Sequence, residues 1–136
     1  MVFSDIRKAF NIAVGNAGFP IEIAYENTKF ETNLTSPYLQ LFLLPVQPVQ
    51  ASLGDMGCDL HTGIFQIDIN YAQSEGVTDL DAMADQINTL FKSGTSFTEN
   101  GLQVRIENVG IGPLVVERGW ATLSLSIEYF AYSQRL

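Results

Sequence analysis

The sequence predicts an α+β fold: a mixed, mostly antiparallel sheet of about five strands with two helices packed on one face. Three observations predict it. Two stretches carry apolar residues at helical spacing, several others alternate apolar and polar with period two, and Gly- or Pro-bearing breaks separate them. The chain is 136 residues long, the size of one domain, and a chain of that length buries about two-thirds of its extended surface.

Ser4 caps the first helix, whose apolar positions Ile6, Phe10, Ala13 and Val14 share one side. Asp5 suits the positive end of its dipole, and Gly15 with Gly18 ends it. In the next stretch Ile21, Ile23 and Tyr25 alternate with Glu22, Ala24 and Glu26, the pattern of a strand with one apolar side. After a turn-rich segment, Tyr38 to Leu44 reads as a strand apolar on both faces. Leu39, Leu41 and Leu43 point one way, and Tyr38, Phe42 and Leu44 the other. Such a strand needs cover on both faces, and a second copy of the chain is one candidate cover.

Residues 45–62 read as one long irregular connection, because Pro45 and Pro48 remove amide donors and Gly54 and Gly57 add flexible points. An extended arm or a hairpin tip would fit there. The segment 64–71 alternates, with Phe65, Ile67, Ile69 and Tyr71 on the buried side. Thr78 and Asp81 approximate a capping box for a second helix, 78–92, with a stripe of Leu80, Met83, Ala84, Ile87, Leu90 and Phe91. Residues 94–101 read as a polar turn and 102–109 as a strand ended by Gly110-Ile111-Gly112-Pro113. A long strand follows at 119–132, and the last two strands pair as a hairpin.

Composition narrows the function. Hydrophobic residues make up 46% and charged residues 16%, a globular chain with little polar material for its exterior, which favours an oligomer. Seven Lys and Arg stand against fifteen Asp and Glu, and the basic residues are scattered. No basic stripe is available to neutralise phosphates, so specific nucleic-acid binding is not expected. The acid excess serves solubility, or else an acidic channel that lets DNA pass without sticking. Cys58 is the lone cysteine, so no intrachain disulfide is expected. The N-terminus lacks a signal-peptide pattern, and no apolar run approaches membrane-spanning length; a cytoplasmic protein without membrane contact is expected.

Catalytic and metal chemistry find little support. Cys58 and His61, with Asp55 and Asp59 nearby, are metal-capable, but no second ligand pair matches them in spacing. As nucleophile and base they would need a third group to orient the imidazole. Gly110-Ile111-Gly112 begins like a dinucleotide fingerprint, yet Val115 takes the third glycine position and the segment leads into a strand. Neither a cofactor nor an enzymatic activity is expected.

Ile23-Ala24-Tyr25-Glu26-Asn27 at the end of a first strand, then Ser36-Pro37-Tyr38-Leu39, then Leu43-Leu44-Pro45, resembles the tail-terminator-like proteins of long-tailed bacteriophages, the minor tail protein U-like group. Length and element order are similar as well. The resemblance implies a structural virion protein at the head–tail junction, assembled in the host cytoplasm. It implies a ring, a hexamer in expectation, that caps the tail tube, stops its polymerisation and gives the head a surface to join. The implied partners are further copies of the chain, the tail tube protein and a head-completion or connector protein, with DNA passing through unbound. Candidate subunit contacts are Tyr25, Glu26, Asn27, Tyr38 and Phe42, and candidate tube or head contacts are Gln50, Asp55 and Asp59. The competing readings are a small ligand-binding module or enzyme, with a pocket between the second helix and the sheet, and a different head-to-tail joining protein.

Overall fold

The computed structural model describes residues 2–26, 36–50, 57–72 and 78–134. Helix α1 (Val2–Asn16) leads into strands β1 (Glu22–Ala24), β2 (Tyr38–Pro45), β3 (Val49–Gln50) and β4 (Cys58–Ala72). Helix α2 (Thr78–Leu90) precedes β5 (Ser96–Glu99), β6 (Leu102–Glu117) and β7 (Trp120–Gln134). The strands form one sheet in the order β1-β2-β4-β7-β6-β5, with β3 paired to the far end of β4. Among the described strands only β1 and β2 run parallel.

This corrects the expected architecture. The protein is mostly strand, and its seven-stranded sheet curls into a half-barrel, so the helices are not packed as a layer on one face. The cause lies in strand length and irregularity. Strands β4, β6 and β7 run for 15 or 16 residues, long enough for the intrinsic right-handed twist to accumulate. Register shifts between Ile106 and Asn108 and between Ile111 and Leu114 bend β6 further. The curl gathers the two helical stripes and the inward rows of the strands into one cluster. Helix α1 touches β5 and β6, while α2 touches β4 and β7.

Aromatic rings occupy the middle of that cluster. Phe10 of α1 lies flat on Phe65 of β4, centroids 4.4 Å apart, and meets Tyr129 of β7 edge-on at 5.3 Å. Phe91, just past α2, tilts against Phe10 at 5.8 Å and meets Phe97 of β5 at 5.5 Å. The expected inward rows are buried: Phe65, Ile67, Ile69 and Tyr71 on β4, and Ala121, Leu123, Leu125, Ile127, Tyr129 and Ala131 on β7. Burial pushes the Tyr129 phenol up to about 12.

Several boundaries differ from the sequence reading, each for a local reason. The second half of the expected loop 45–62 is strand: Cys58 to Thr62 pair with β7, and Asp59 and Leu60 also pair with β3. Segment 94–101 contains β5, whose single apolar residue, Phe97, shows no alternation to read. Strand β6 runs through Gly110–Pro113, since a bulge accommodates the proline that a regular interior strand would reject. Both late hairpins close with two residues at positive φ, Asn100-Gly101 and Arg118-Gly119, the left-handed pair that matches the twist of the flanking strands.

Gly63 is required by contact and not by backbone conformation. It faces Tyr129 across the β4–β7 pair, and a Cβ there would lie 2.6 Å from the Tyr129 hydroxyl and 2.8 Å from the Leu44 carbonyl oxygen. Gly63→Ala should therefore cost about 1–3 kcal/mol of stability through overpacking. Gly110→Ala, whose Cβ would meet nothing closer than 4.0 Å, should change it by less than about 0.5 kcal/mol. Urea denaturation of both variants checks the contrast, and equal losses would remove the steric account.

Candidate assembly surface

The motif residues at the end of β1 are engaged within the chain. Glu26 Oε1 accepts a hydrogen bond from Arg7 Nη1 of α1 at 2.5 Å and another from the Leu43 amide of β2 at 3.0 Å. Strand β1 pairs with β2 only along Tyr38–Gln40, so the Leu43 N–H lies beyond the reach of that pairing. The carboxylate supplies the acceptor that the short strand does not, and in doing so ties α1, β1 and β2 together. Arg7 also lies over the Phe3 ring at 5.3 Å. Tyr25 packs against the core cluster, and its hydroxyl lies 3.3 Å from the position of a Cβ on Gly15 of α1.

Tyr38 is buried, with its ring edge-on to Trp120 at 5.2 Å. Burial first, and the Asp68 charge second, raise its phenol above the ordinary value. Thus one side of the two-sided strand receives part of its cover from β7. Phe42, on the same side, stays half-buried, and Leu44 is exposed. Gln50 is exposed on β3 and pairs with Asp59, which is half-buried on β4. Asn27 and Asp55 lie outside the described residues.

The outer face of the sheet carries a ladder of neutral polar groups around one acid. Asp68 Oδ1 accepts from Gln66 Nε2 at 2.8 Å and from the Ser124 hydroxyl at 2.7 Å. Asn70, buried, accepts from the Thr122 hydroxyl at 2.6 Å and donates to Gln40 Oε1 at 3.3 Å. These bonds stitch β2, β4 and β7 across a depression of about 620 Å³, whose rim includes Val115, Arg118 and Trp120. A second, apolar groove of about 330 Å³ lies beside the start of α1, between Phe3, Val46, Pro48 and Tyr129.

Cys58 and His61 do not converge. Three apart on one strand, they project from opposite faces. His61 Nε2 lies 2.7 Å from the Ser133 hydroxyl. Among the described residues no three potential metal ligands cluster, and no helix is long and apolar enough to cross a membrane.

Sequence reasoning missed one exposed apolar segment. Ile111, Leu114, Val115 and Val116 on β6 are 59%, 42%, 48% and 51% exposed. Reading Gly110–Pro113 as a break hid it. The run Leu114-Val115-Val116 before an Arg-Gly turn was the available signal, an apolar strand end just ahead of a hairpin.

Comparison with known proteins places this fold. A solved structure superposes with a TM-score of 0.77 over 94% of each chain at 22% identity, so the curled sheet with two helices is a fold already observed. No curated protein sequence matches. A family model described as phage tail terminator protein matches residues 5–129. The chain belongs to that family, as the motif around Tyr25 and Tyr38 led us to expect, and is a structural protein of the bacteriophage tail.

The Glu26 clamp yields a test. The Arg7 guanidinium first, and the Leu43 amide second, hold the Glu26 carboxyl below its ordinary value of 4.5, against an opposing effect of burial. A depressed folded-state value means the clamp's stability is fully present above pH 4.5 and is lost as pH falls through the lower folded value. Both side chains are about one-third exposed (33% and 32%), so Glu26→Gln should cost no more than about 1 kcal/mol at pH 7. Denaturation across pH should show that deficit shrinking as pH falls below 4.5; a deficit constant with pH would mean the clamp is not ionic.

Proposed function

We propose that the protein closes into a homo-oligomeric ring, a hexamer in our reading, that caps the tail tube and ends its polymerisation. Membership of the tail terminator family over residues 5–129 carries this reading. The geometry supports it in one respect. The sheet ends on two unlike edges, β1 on one side and β6 with β5 on the other. Contacts between unlike surfaces are the kind that close by rotation into rings.

In this reading one ring face matches the last ring of the tube protein, and the other offers no template for a further tube subunit. That second face receives a head-completion or connector protein, and DNA passes through without specific binding. Phe42 and the Tyr25–Glu26 end of β1 lie at or behind the subunit contact, with Tyr38 holding the strand from within. Gln50 and Asp59 belong to the surface offered to tube or head. Asn27 is assigned to the subunit contact and Asp55 to the tube or head surface by sequence position.

Electron microscopy of particles made without this protein tests the proposal. Tails of unregulated length, unattached to filled heads, are the expected product. Tails of normal length on infectious virions would overturn it.

A further inference from the structure

We infer that the free end of β6 in one copy extends its sheet onto β1 of the next copy, joining neighbours by antiparallel strand addition at residues 114–117; this rests on the ring reading above. The first observation is exposure on both sides of a strand. Leu114 and Val116 stand opposite Leu123 and Ala121, whose row is buried, whereas Val115 stands opposite Thr122 on the outer face. All three are nonetheless 42–51% exposed. A partner lying on one face would dry only one of these rows. A partner meeting the strand edge-on, bringing its own inner and outer rows, dries both.

The second observation is an unpaired edge at each side of the sheet. Among the described residues no strand pairs with the outer side of β6 beyond Glu107, whose carbonyl accepts from the Ser93 hydroxyl at 2.7 Å. None pairs with the outer side of β1. The third is direction. Strand β1 is parallel to β2, and the three steps from β2 through β4 and β7 to β6 are each antiparallel. So β6 runs opposite to β1, and copies related by rotation about an axis along the strands meet in the antiparallel sense.

Level agrees. Register partners run from Glu22 through Tyr38, Asn70 and Thr122 to Val115, and from Ile23 through Leu39, Ile69 and Leu123 to Leu114. The same rows therefore reach both edges, and an apolar row of one copy continues into Ile23 of the next. The bulge at Pro113, which lacks an N–H, limits the added stretch to four residues, a match for the three of β1.

Cysteine cross-linking of the full chain in a Cys58→Ser background, with the protein assembled on purified tail tubes, tests this. Val115→Cys is combined with Glu22→Cys or Ala24→Cys to sample the register, using variants that keep wild-type circular dichroism. A ladder of covalent multimers is expected only when both cysteines are in one chain. Dimers from Val115→Cys alone would overturn the inference in favour of a two-fold contact. Rings visible by electron microscopy with no ladder from any pair would overturn it while leaving the ring reading intact. Absence of rings on the tubes would overturn the ring reading itself.

Discussion

Phe10 lying flat on Phe65 joins the first helix to the central strand of the sheet, and most of the architecture depends on that contact. Around it, Tyr129 brings in the second long strand, and Phe91 brings in the end of α2. Rings of this size bury more area than any aliphatic pair, and their edge-to-face angles fix orientation as well as distance. A flat sheet would present Phe65 and Tyr129 to a helix on one side only. Curling lets the sheet approach the same cluster from several directions, which is why a chain with few charged residues and many large apolar ones closes a core at this length. Gly63 is part of the same constraint, because only a missing side chain leaves room for the Tyr129 ring to cross β4 there.

Much of this core is legible in the amino-acid sequence. The stripe on α2 and the alternation in 64–71 and 119–132 identify the buried rows residue by residue, because a helix or half-buried strand repeats its signal several times. The layer arrangement is not legible. Curl comes from accumulated twist and from bulges at 106–108 and 111–114, and neither is a repeating pattern in side-chain type. Gly110–Pro113 has the composition of a turn, and only its pairing opposite Leu123–Ser126 makes it a bulged strand. Ser96–Glu99 and Val49–Gln50 are too short for periodicity to register.

The motif around Tyr25 and Tyr38 shows a related limit. Its residues pointed to the right family, yet in the folded chain Glu26 clamps Arg7 and the Leu43 amide, and Tyr38 packs on Trp120. Both hold the shape of the chain's own first edge. Residues that shape an edge can mark a family as reliably as residues that touch a partner, and sequence spacing alone does not separate the two roles. The polar side chains one would nominate as free from alternation are here occupied by a charge-assisted contact nineteen residues away.

Where a partner acts can then be approached by asking which surfaces are already satisfied. On the outer face, Asn70 and Asp68 find donors and acceptors from β2, β4 and β7, and no buried side-chain polar atom among the described residues is left without a hydrogen bond. Covering that face would exchange bonds with water for bonds with a partner at small net gain. The end of β6 is different. Its apolar side chains face water on both sides, and beyond Glu107 no described strand lies along its outer edge. Removing that surface from water is favourable in proportion to its area, and pairing its backbone groups adds direction and register. The margin of the sheet at the end of β6 is therefore one place where exposed apolar surface and unpaired backbone coincide, while the outer face is already satisfied by its own hydrogen bonds.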